Sequence, residues 1–208
     1  MTLFSLFLKG GILMWILLVI SFIVIAIAYD RYRLLKQIRK ADEKMHRALS
    51  QHDRIEHLES VIKIYKNSCP LGVMLYKILS SKVKDPALLK ESLESTANLE
   101  LHKLEKGMGW LSTFAAIAPL IGFLGTVIGM VRVFMNIQMQ SQSGVDINIL
   151  AGGIWEALIT TIGGLIVGIF AIILYNDLVQ NLENTAKDLQ DATLDYMIKI
   201  ENIRSGVQ

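Results

Sequence analysis

The sequence predicts an all-α integral membrane protein with three transmembrane helices, the second and third of which extend into a cytoplasmic helical bundle. Hydrophobic residues make up 52% of the 208 residues, and the mean hydropathy is +0.44. Three apolar stretches, at 12–29, 110–131 and 149–175, are long enough to form helices that cross a bilayer core, which takes roughly 20 residues for a core about 30 Å thick. The sequence between and after these stretches is polar and charged, and its apolar residues follow helical spacing.

The distribution of basic residues orients these helices across the membrane. Of the 21 Lys and Arg residues, 16 lie between residues 31 and 106, and three follow the last apolar stretch. Basic residues concentrate on the cytoplasmic side, so the N-terminus is expected outside and the C-terminus inside. The predicted organisation is an outside N-terminus with the first transmembrane helix (1–30), a cytoplasmic helical region (31–109), the second transmembrane helix (110–132), a short periplasmic loop (133–148), the third transmembrane helix (149–175) and a cytoplasmic C-terminal helix (176–208).

The cytoplasmic region carries signals for several helices. Helical spacing over 55–65 and over 71–80 predicts two short helices, separated at Pro70 because the residue before a proline avoids the α conformation. Asp85 and Pro86 predict a further helix start, with Asp as the N-cap and Pro at the first helical position. An apolar stripe follows without a breaker. We therefore expect the helix that begins at Pro86 to run directly into the second transmembrane helix.

The sequence gives no support to an enzyme, a metal site or a cofactor. It contains no glycine-rich phosphate loop, nucleophile triad or pair of catalytic carboxylates. Its four histidines, His46, His52, His57 and His102, are not paired at metal-ligand spacing. The single cysteine, Cys69, falls in the predicted cytoplasmic region, where thiols stay reduced, and is interpreted as a small buried residue.

Small residues follow one stripe on each of the second and third predicted transmembrane helices. The glycines assigned to helix packing are Gly122, Gly125, Gly129, Gly153, Gly164 and Gly168. Such stripes let the backbones of membrane helices approach closely. Pro119 lies in the middle of the second span and predicts a helix break, because proline frees a carbonyl one turn earlier. The alternative is a proline that is tolerated because neighbouring helices satisfy that carbonyl.

Four polar residues lie beside these stripes, and packing alone does not explain them. They are Thr126, Glu156, Thr160 and Thr161, and we assign all four to the wall of an ion pathway in an oligomer. A carboxylate within a span is costly unless it is neutralised, is paired or faces water, so Glu156 predicts a functional role. The alternative is an interfacial residue whose side chain reaches the outer surface. A single acidic residue is a weak basis for a relay that must carry protons across the whole membrane. We therefore expect another subunit to supply the main titrating group.

Two segments carry a family resemblance. Residues 115–134 read AAIAPLIGFLGTVIGMVRVF, and residues 151–176 read AGGIWEALITTIGGLIVGIFAIILYN. Together they closely resemble the signature of the ExbB/TolQ/MotA proton-channel family, nearest to its ExbB–TolQ branch. The resemblance implies a homopentameric ring in the inner membrane of a Gram-negative-type bacterium. The ring would enclose the single-span helices of two ExbD/TolR-like partner chains, each with an intramembrane aspartate. Proton flow would power a TonB-like protein and outer-membrane transport.

Carried onto this sequence, the resemblance makes Thr126 and Thr161 the polar lining of the proton pathway, with Glu156 near it. The chain departs from the family pattern at Phe170, where a proline is usual, and at Trp155, where alanine is usual. Three alternatives stay open: a TolQ-like subunit of a Tol-Pal envelope system, a motor of the same ring type, and a membrane scaffold without ion flow. The sequence also leaves open whether the ion is H⁺ or Na⁺.

Overall fold

The computed structural model describes residues 10–51, 55–81, 85–139 and 147–205, and every regular element in these ranges is an α-helix. The helices are α1 (Gly11–Ser50), α2 (Ile55–Tyr65), α3 (Pro70–Ser80), α4 (Pro86–Glu105), α5 (Met108–Met139) and α6 (Ile147–Ser205). Within the described ranges, α1, α5 and α6 are long and apolar enough to cross a membrane. This confirms the prediction of an all-helical membrane protein with three candidate transmembrane helices.

Helix boundaries differ from the sequence prediction in three places. The helix that begins at Pro86 does not run into the second span, because α4 ends at Glu105 and α5 starts at Met108. Gly107 lies between them with a φ of +89°, a left-handed conformation that glycine adopts without a steric penalty. In addition, α1 continues to Ser50, far beyond the apolar stretch, and α5 continues to Met139. The remainder of the predicted 133–148 loop includes residues 140–146, which lie outside the described residues.

The chain divides into two compact units. The first contains the apolar parts of the three long helices, with Gly107–Asp177 and the described residues up to Tyr29. Its interior is lined by small and aliphatic residues, whereas its outer surface carries large apolar side chains such as Leu120 and Phe170. A folded unit with an apolar exterior is expected where lipid or neighbouring helices replace water.

The second unit contains residues 30–106 together with α6 from Leu178 onward. Its apolar core is formed by Met45, Leu49, Leu58, Ile62, Cys69, Leu71, Met74, Leu75, Ile78, Leu93, Ala97, Leu189, Tyr196 and Ile200. The predicted cap of α4 is confirmed, since the Asp85 carboxylate accepts a hydrogen bond of 3.0 Å from the backbone N–H of Ala87. The prediction that Cys69 is buried is also confirmed.

Candidate functional site

The candidate site is built on a contact between α5 and α6 that only very small residues permit. A Cβ atom added to Gly122 would lie 3.0 Å from the carbonyl oxygen of Thr160 and 3.1 Å from the Cα of Gly164. A Cβ added to Gly164 would in turn lie 2.5 Å from the carbonyl oxygen of Ala118. The two helices therefore touch backbone to backbone, and this contact fixes the positions of the polar side chains beside it.

The same contact extends toward both ends of the two helices. A Cβ on Gly129 would lie 2.8 Å from the Cβ of Ala157, and one on Gly153 would overlap Val133. A Cβ on Gly125 would overlap the hydroxyl of Thr160. The stripes that the sequence assigned to packing are thus in contact over several turns.

Pro119 lies at the other end of this interface. A Cβ added to Gly168 would lie 2.6 Å from the Cγ atom of Pro119 and 3.1 Å from the carbonyl oxygen of Ala115. The helix does not end here, because α5 is continuous from Met108 to Met139. The structure therefore lacks the helix break that the sequence predicted at Pro119. The absent side chain of Gly168 makes room for the proline ring.

The three threonines of the predicted site make different hydrogen bonds. Thr161 on α6 donates to the carbonyl oxygen of Gly122 on α5, at 2.9 Å. Thr160 donates to the carbonyl oxygens of Glu156 and Ala157 on its own helix, both at 2.9 Å, and is buried inside the protomer. Thr126 donates to a carbonyl one turn earlier on α5, at 2.6 Å. Thr126 and Thr161 are half-buried, so both remain accessible from the surface of the single chain.

Glu156 has a partner that sequence reasoning missed. Arg132 on α5 donates a hydrogen bond from Nη1 to Oε1 of Glu156 on α6, at 3.0 Å. The Glu156 side chain is 27% exposed and that of Arg132 is 57% exposed. A signal for this pair is present in the sequence: Arg132 is the one basic residue between 107 and 186, and a single loop joins its helix to that of Glu156.

The start of α1 also contacts this carboxylate. Gly11 has a φ of +65°, and a Cβ atom there would overlap Oε1 of Glu156. A small cavity of about 40 Å³ lies beside the contact, lined by Gly10, Ile12, Leu13, Gly125, Ile128, Arg132, Glu156 and Thr160. A polar cavity of this size has room for one water molecule. Three helices therefore meet at one carboxylate.

The described residues contain no candidate metal site. Within those ranges, no three side chains of His, Cys, Asp or Glu come close enough to hold a metal ion. His46 instead lies with its Nδ1 atom 2.9 Å from the Tyr196 hydroxyl. His52 falls outside the described residues.

Comparison with known proteins identifies the family. Residues 66–191 match the profile of the MotA/TolQ/ExbB proton channel family. The chain belongs to this family. The matched region includes the α5–α6 contact, Arg132 and Glu156, whereas Gly11 lies outside it.

Individual relatives of this family member cover most of its length. A Synechocystis biopolymer transport protein named ExbB-like 1 is 30% identical over 93% of this chain and 74% of its own. The biopolymer transport protein ExbB of Neisseria meningitidis is 28% identical over 96% of this chain and 90% of its own. The Tol-Pal system protein TolQ of Haemophilus influenzae is 30% identical over 84% of this chain and 82% of its own.

Proposed function

We propose that this chain is a proton-channel subunit of an ExbB-like motor, driven by the proton-motive force across an inner membrane. In this proposal the chain forms an oligomeric ring, a homopentamer, around two ExbD-like single-span helices. The motor powers a TonB-like protein and thereby outer-membrane transport. The N-terminus is periplasmic and the C-terminus cytoplasmic, in accordance with the distribution of basic residues.

The observation that carries this proposal is the polar group embedded in the α5–α6 contact. Thr161, Glu156 and Arg132 lie on helices whose surroundings are otherwise apolar. Ionisable residues within membrane spans usually mark ion pathways, because keeping them there is costly. The family profile covers all three residues, which supports the same interpretation.

The small number of acidic residues in the apolar stretches supports the need for a partner. Glu156, which is paired with Arg132, is the one acidic residue in the three stretches. In the proposed motor the main titrating carboxyl group belongs to the ExbD/TolR-like chain. Thr126 and Thr161 line the pathway beside it. Thr160, although predicted beside them, is buried against Gly125, so its contribution is to hold the two helices together.

The exposed apolar faces of the first unit support an assembly in the membrane. Phe123 is 63% exposed and Ile173 is 57% exposed in the single chain. Such faces are compatible with both lipid and the neighbouring subunits of a ring.

A flux measurement tests the proposal. The chain is purified with an ExbD-like partner, reconstituted into vesicles, and proton flux is followed with a pH-sensitive dye under an imposed membrane potential. Thr161→Val is expected to reduce flux per assembled complex, because it removes a hydroxyl from the pathway. Thr185→Val is the matched control, since Thr185 donates only within α6, to the carbonyl of Asn181, in the other unit. Full flux in Thr161→Val would contradict the assignment, and a Na⁺ gradient in place of the H⁺ gradient decides the ion.

A TolQ-like role is the second candidate, and the relative from Haemophilus influenzae favours it. The two roles differ in what the cell loses without the chain. A TonB-linked motor is needed for growth on iron bound to a siderophore, whereas a Tol-Pal-linked motor is needed for resistance to detergent. Deletion of the gene followed by both growth assays separates them.

A scaffold without ion flow is the third candidate. The glycine contact and the Thr161–Gly122 hydrogen bond would serve a scaffold equally well. A wild-type complex that assembles with its partner but passes no protons would favour this role.

A further inference from the structure

We propose that the second unit carries a groove and a separate helix face that fits it, and that each groove receives the α4 helix of a second copy of this chain. The groove lies between α1 and α6, and the fitting face is the outward side of α4. This inference rests on the proposed ring and names the contact through which neighbouring subunits join outside the membrane.

The groove follows α1 over about four turns. Two cavities of about 710 Å³ and 580 Å³ share Arg39 and Glu43, and together they extend along α1 from Tyr32 to Arg47. Residues of α6, among them the buried Leu189, form the opposite wall. At about 1.5 Å per residue the groove is about 22 Å long, which is the length of a docked helix of four turns.

The end of the groove that begins at Tyr32 is basic. Lys36, Arg39 and Lys40 line it. Within the described residues none of these three forms an ion pair. Glu43 is the one described acidic residue beside them, and its Oε2 atom lies 3.8 Å from a guanidinium nitrogen of the next turn. This end of the groove therefore favours an acidic surface.

The outward face of α4 combines exposed leucines with acidic residues. The helix packs on the core through Leu93 and Ala97, whereas Leu88 and Leu99 on its other side are 55% and 62% exposed. A helix with apolar residues on two opposite sides is expected where both sides are covered. Glu91 shares the outward face with these leucines, since it lies three residues after the first and eight before the second.

The charge of this face matches that of the groove. Glu91 is exposed and forms no ion pair among the described residues. Glu94 lies at the edge of the face, and its contact with Lys90, at 3.9 Å, is between two largely exposed side chains. A helix with apolar anchors and carboxylates thus faces a groove with apolar walls and three cationic side chains, which is the usual complementarity of a helix that docks in a groove.

The groove and the face are separate surfaces of one chain. Among the described residues, those that line the groove come from α1, α3 and α6, and none comes from α4. In a ring, each subunit contacts one neighbour through one surface and the other neighbour through a different surface. A two-fold dimer would instead use the same surface on both chains. The occupant that fits the proposed ring is therefore a second copy.

Cysteine cross-linking in native membranes tests this contact. Lys40→Cys places a thiol on the rim of the groove, and Ser95→Cys places one on the α4 face, where both native side chains are exposed. The chain is expressed together with its ExbD-like partner and treated with a short bis-maleimide. The variant with both cysteines is expected to form covalent multimers larger than a dimer, because each chain links to two neighbours. Cys69 is buried, so the wild type is the control for background labelling.

The single variants distinguish a head-to-tail contact from other arrangements. Each is expected to stay monomeric, and the two single variants expressed together are expected to give dimers and nothing larger. Dimers from one single variant alone would indicate a two-fold contact and overturn the proposal. So would an intact complex in which the double variant forms no cross-links, since the groove would then hold something other than a second copy.

A second cysteine pair controls for random collisions. Lys40→Cys combined with Ser60→Cys keeps the thiol at the groove and moves the other to an exposed serine of α2. We expect few multimers from this pair. A yield equal to that of the pair with Ser95→Cys would mean that collisions rather than docking bring the chains together, which would contradict the proposal.

Charge reversal tests the match between the two surfaces. Glu91→Arg and Arg39→Glu, each introduced into the chain with both cysteines, bring like charges together at the contact. Each is expected to lower the yield of multimers by about two- to fivefold, as for an exposed ion pair. The two reversals combined are expected to recover the yield. Losses that the combination does not recover would contradict the proposed pairing of surfaces.

Proton flux separates this inference from the proposed function. Cross-linking reports on how the copies are arranged, whereas flux reports on what the complex does. A complex that conducts protons but shows no cross-links between the groove and α4 would overturn the docking alone. A complex that forms the covalent multimers but passes no protons would confirm the docking and overturn the channel.

Discussion

The hydroxyl group of Thr161 on α6 donates a hydrogen bond of 2.9 Å to the carbonyl oxygen of Gly122 on α5. The two residues also touch through their backbones, since a Cβ on Gly122 would lie 3.1 Å from the Cα of Thr161. One residue of the proposed pathway therefore also helps to hold the two helices together. A loss of function on replacing Thr161 could arise from either role, and the two have to be measured separately.

Replacing Thr161 with serine or with valine separates the contribution of its hydroxyl group to stability from that of its branched shape. Thr161→Ser keeps the hydroxyl, whereas Thr161→Val keeps the branched shape and loses the hydrogen bond to Gly122. Interhelical hydrogen bonds in membranes contribute about 0.6 kcal/mol on average and up to about 2 kcal/mol. We expect Thr161→Val to destabilise the detergent-solubilised protein by an amount in this range. Thermal unfolding measures it, and equal stability of the valine variant and the wild type would contradict a structural role for the hydroxyl.

The close contact of α5 and α6 predicts a large effect of the smallest possible substitution. Gly164→Ala would put a methyl group 2.5 Å from the carbonyl oxygen of Ala118 and 2.8 Å from the Cα of Gly122. Both of these are backbone atoms, so the helices must separate. Overpacking of this kind costs about 1–3 kcal/mol. Gly152→Ala on the same helix is the control, because nothing lies within 4 Å of its added Cβ. Similar unfolding midpoints for both variants would refute the close packing.

At the break between α4 and α5, substitution of Gly107 is expected to lower stability through backbone strain alone, without a packing clash. Gly107 has a φ of +89°, and a Cβ there meets no atom within 4 Å. Gly107→Ala therefore strains only the backbone, at about 1–2 kcal/mol, which is the cost of a left-handed conformation for a residue with a Cβ. Gly107→Asn should cost less, because asparagine tolerates this conformation better. Gly109→Ala is the control, since it has equal space without a positive φ, and it should be at least as stable as the wild type because alanine is favoured over glycine in a helix.

Local signals in the sequence were sufficient for much of the fold. The three apolar stretches identify the candidate transmembrane helices, and Asp85 with Pro86 identifies the start of α4 together with its cap. These features depend on a few neighbouring residues, so the sequence alone carries them. The end of α4 was missed because glycine inside a helix is only mildly unfavourable, and an apolar stripe can outweigh it. The positive φ of Gly107 is visible only in the structure.

The sequence singles out the polar residues of the candidate site, whereas the pairing of Arg132 with Glu156 is visible only in the structure. Glu156 and the threonines stand out because polar residues are rare within apolar spans. The Arg132–Glu156 pair depends on the register of α5 against α6, which is set by backbone contacts at Gly122, Gly129 and Gly164. The contact of Gly11 with Glu156 depends in turn on how the start of α1 lies against α6. Neither arrangement follows from spacing along a single helix.

The single cysteine gives a probe of the second unit. Cys69 lies in the apolar core, with its sulfur atom 3.7 Å from the sulfur of Met45. Burial, and then the negative charge of Asp42, raises the pKa of the Cys69 thiol from its ordinary value of 9.0 to about 12. At pH 8 the folded chain therefore has about a thousandfold less thiolate than an ordinary cysteine would. Because the thiolate is the reactive form, burial and the raised pKa both protect the residue.

This protection makes alkylation of Cys69 a measure of unfolding. At pH 8 we expect a maleimide to label the folded protein only as fast as the second unit opens, and to label the denatured protein at the rate of a free thiol.

The raised pKa of Cys69 also sets the pH dependence of stability. Its contribution is complete below pH 9.0 and is lost as the pH rises toward about 12, since the unfolded thiol ionises first. Replacing Cys69 with alanine removes this ionisation, so the variant should lose less stability than the wild type between pH 8 and pH 11. Rapid labelling of the folded protein at pH 8 would show that the thiol is not buried. An equal loss of stability at alkaline pH in the wild type and the alanine variant would show that the fold does not hold the thiol protonated.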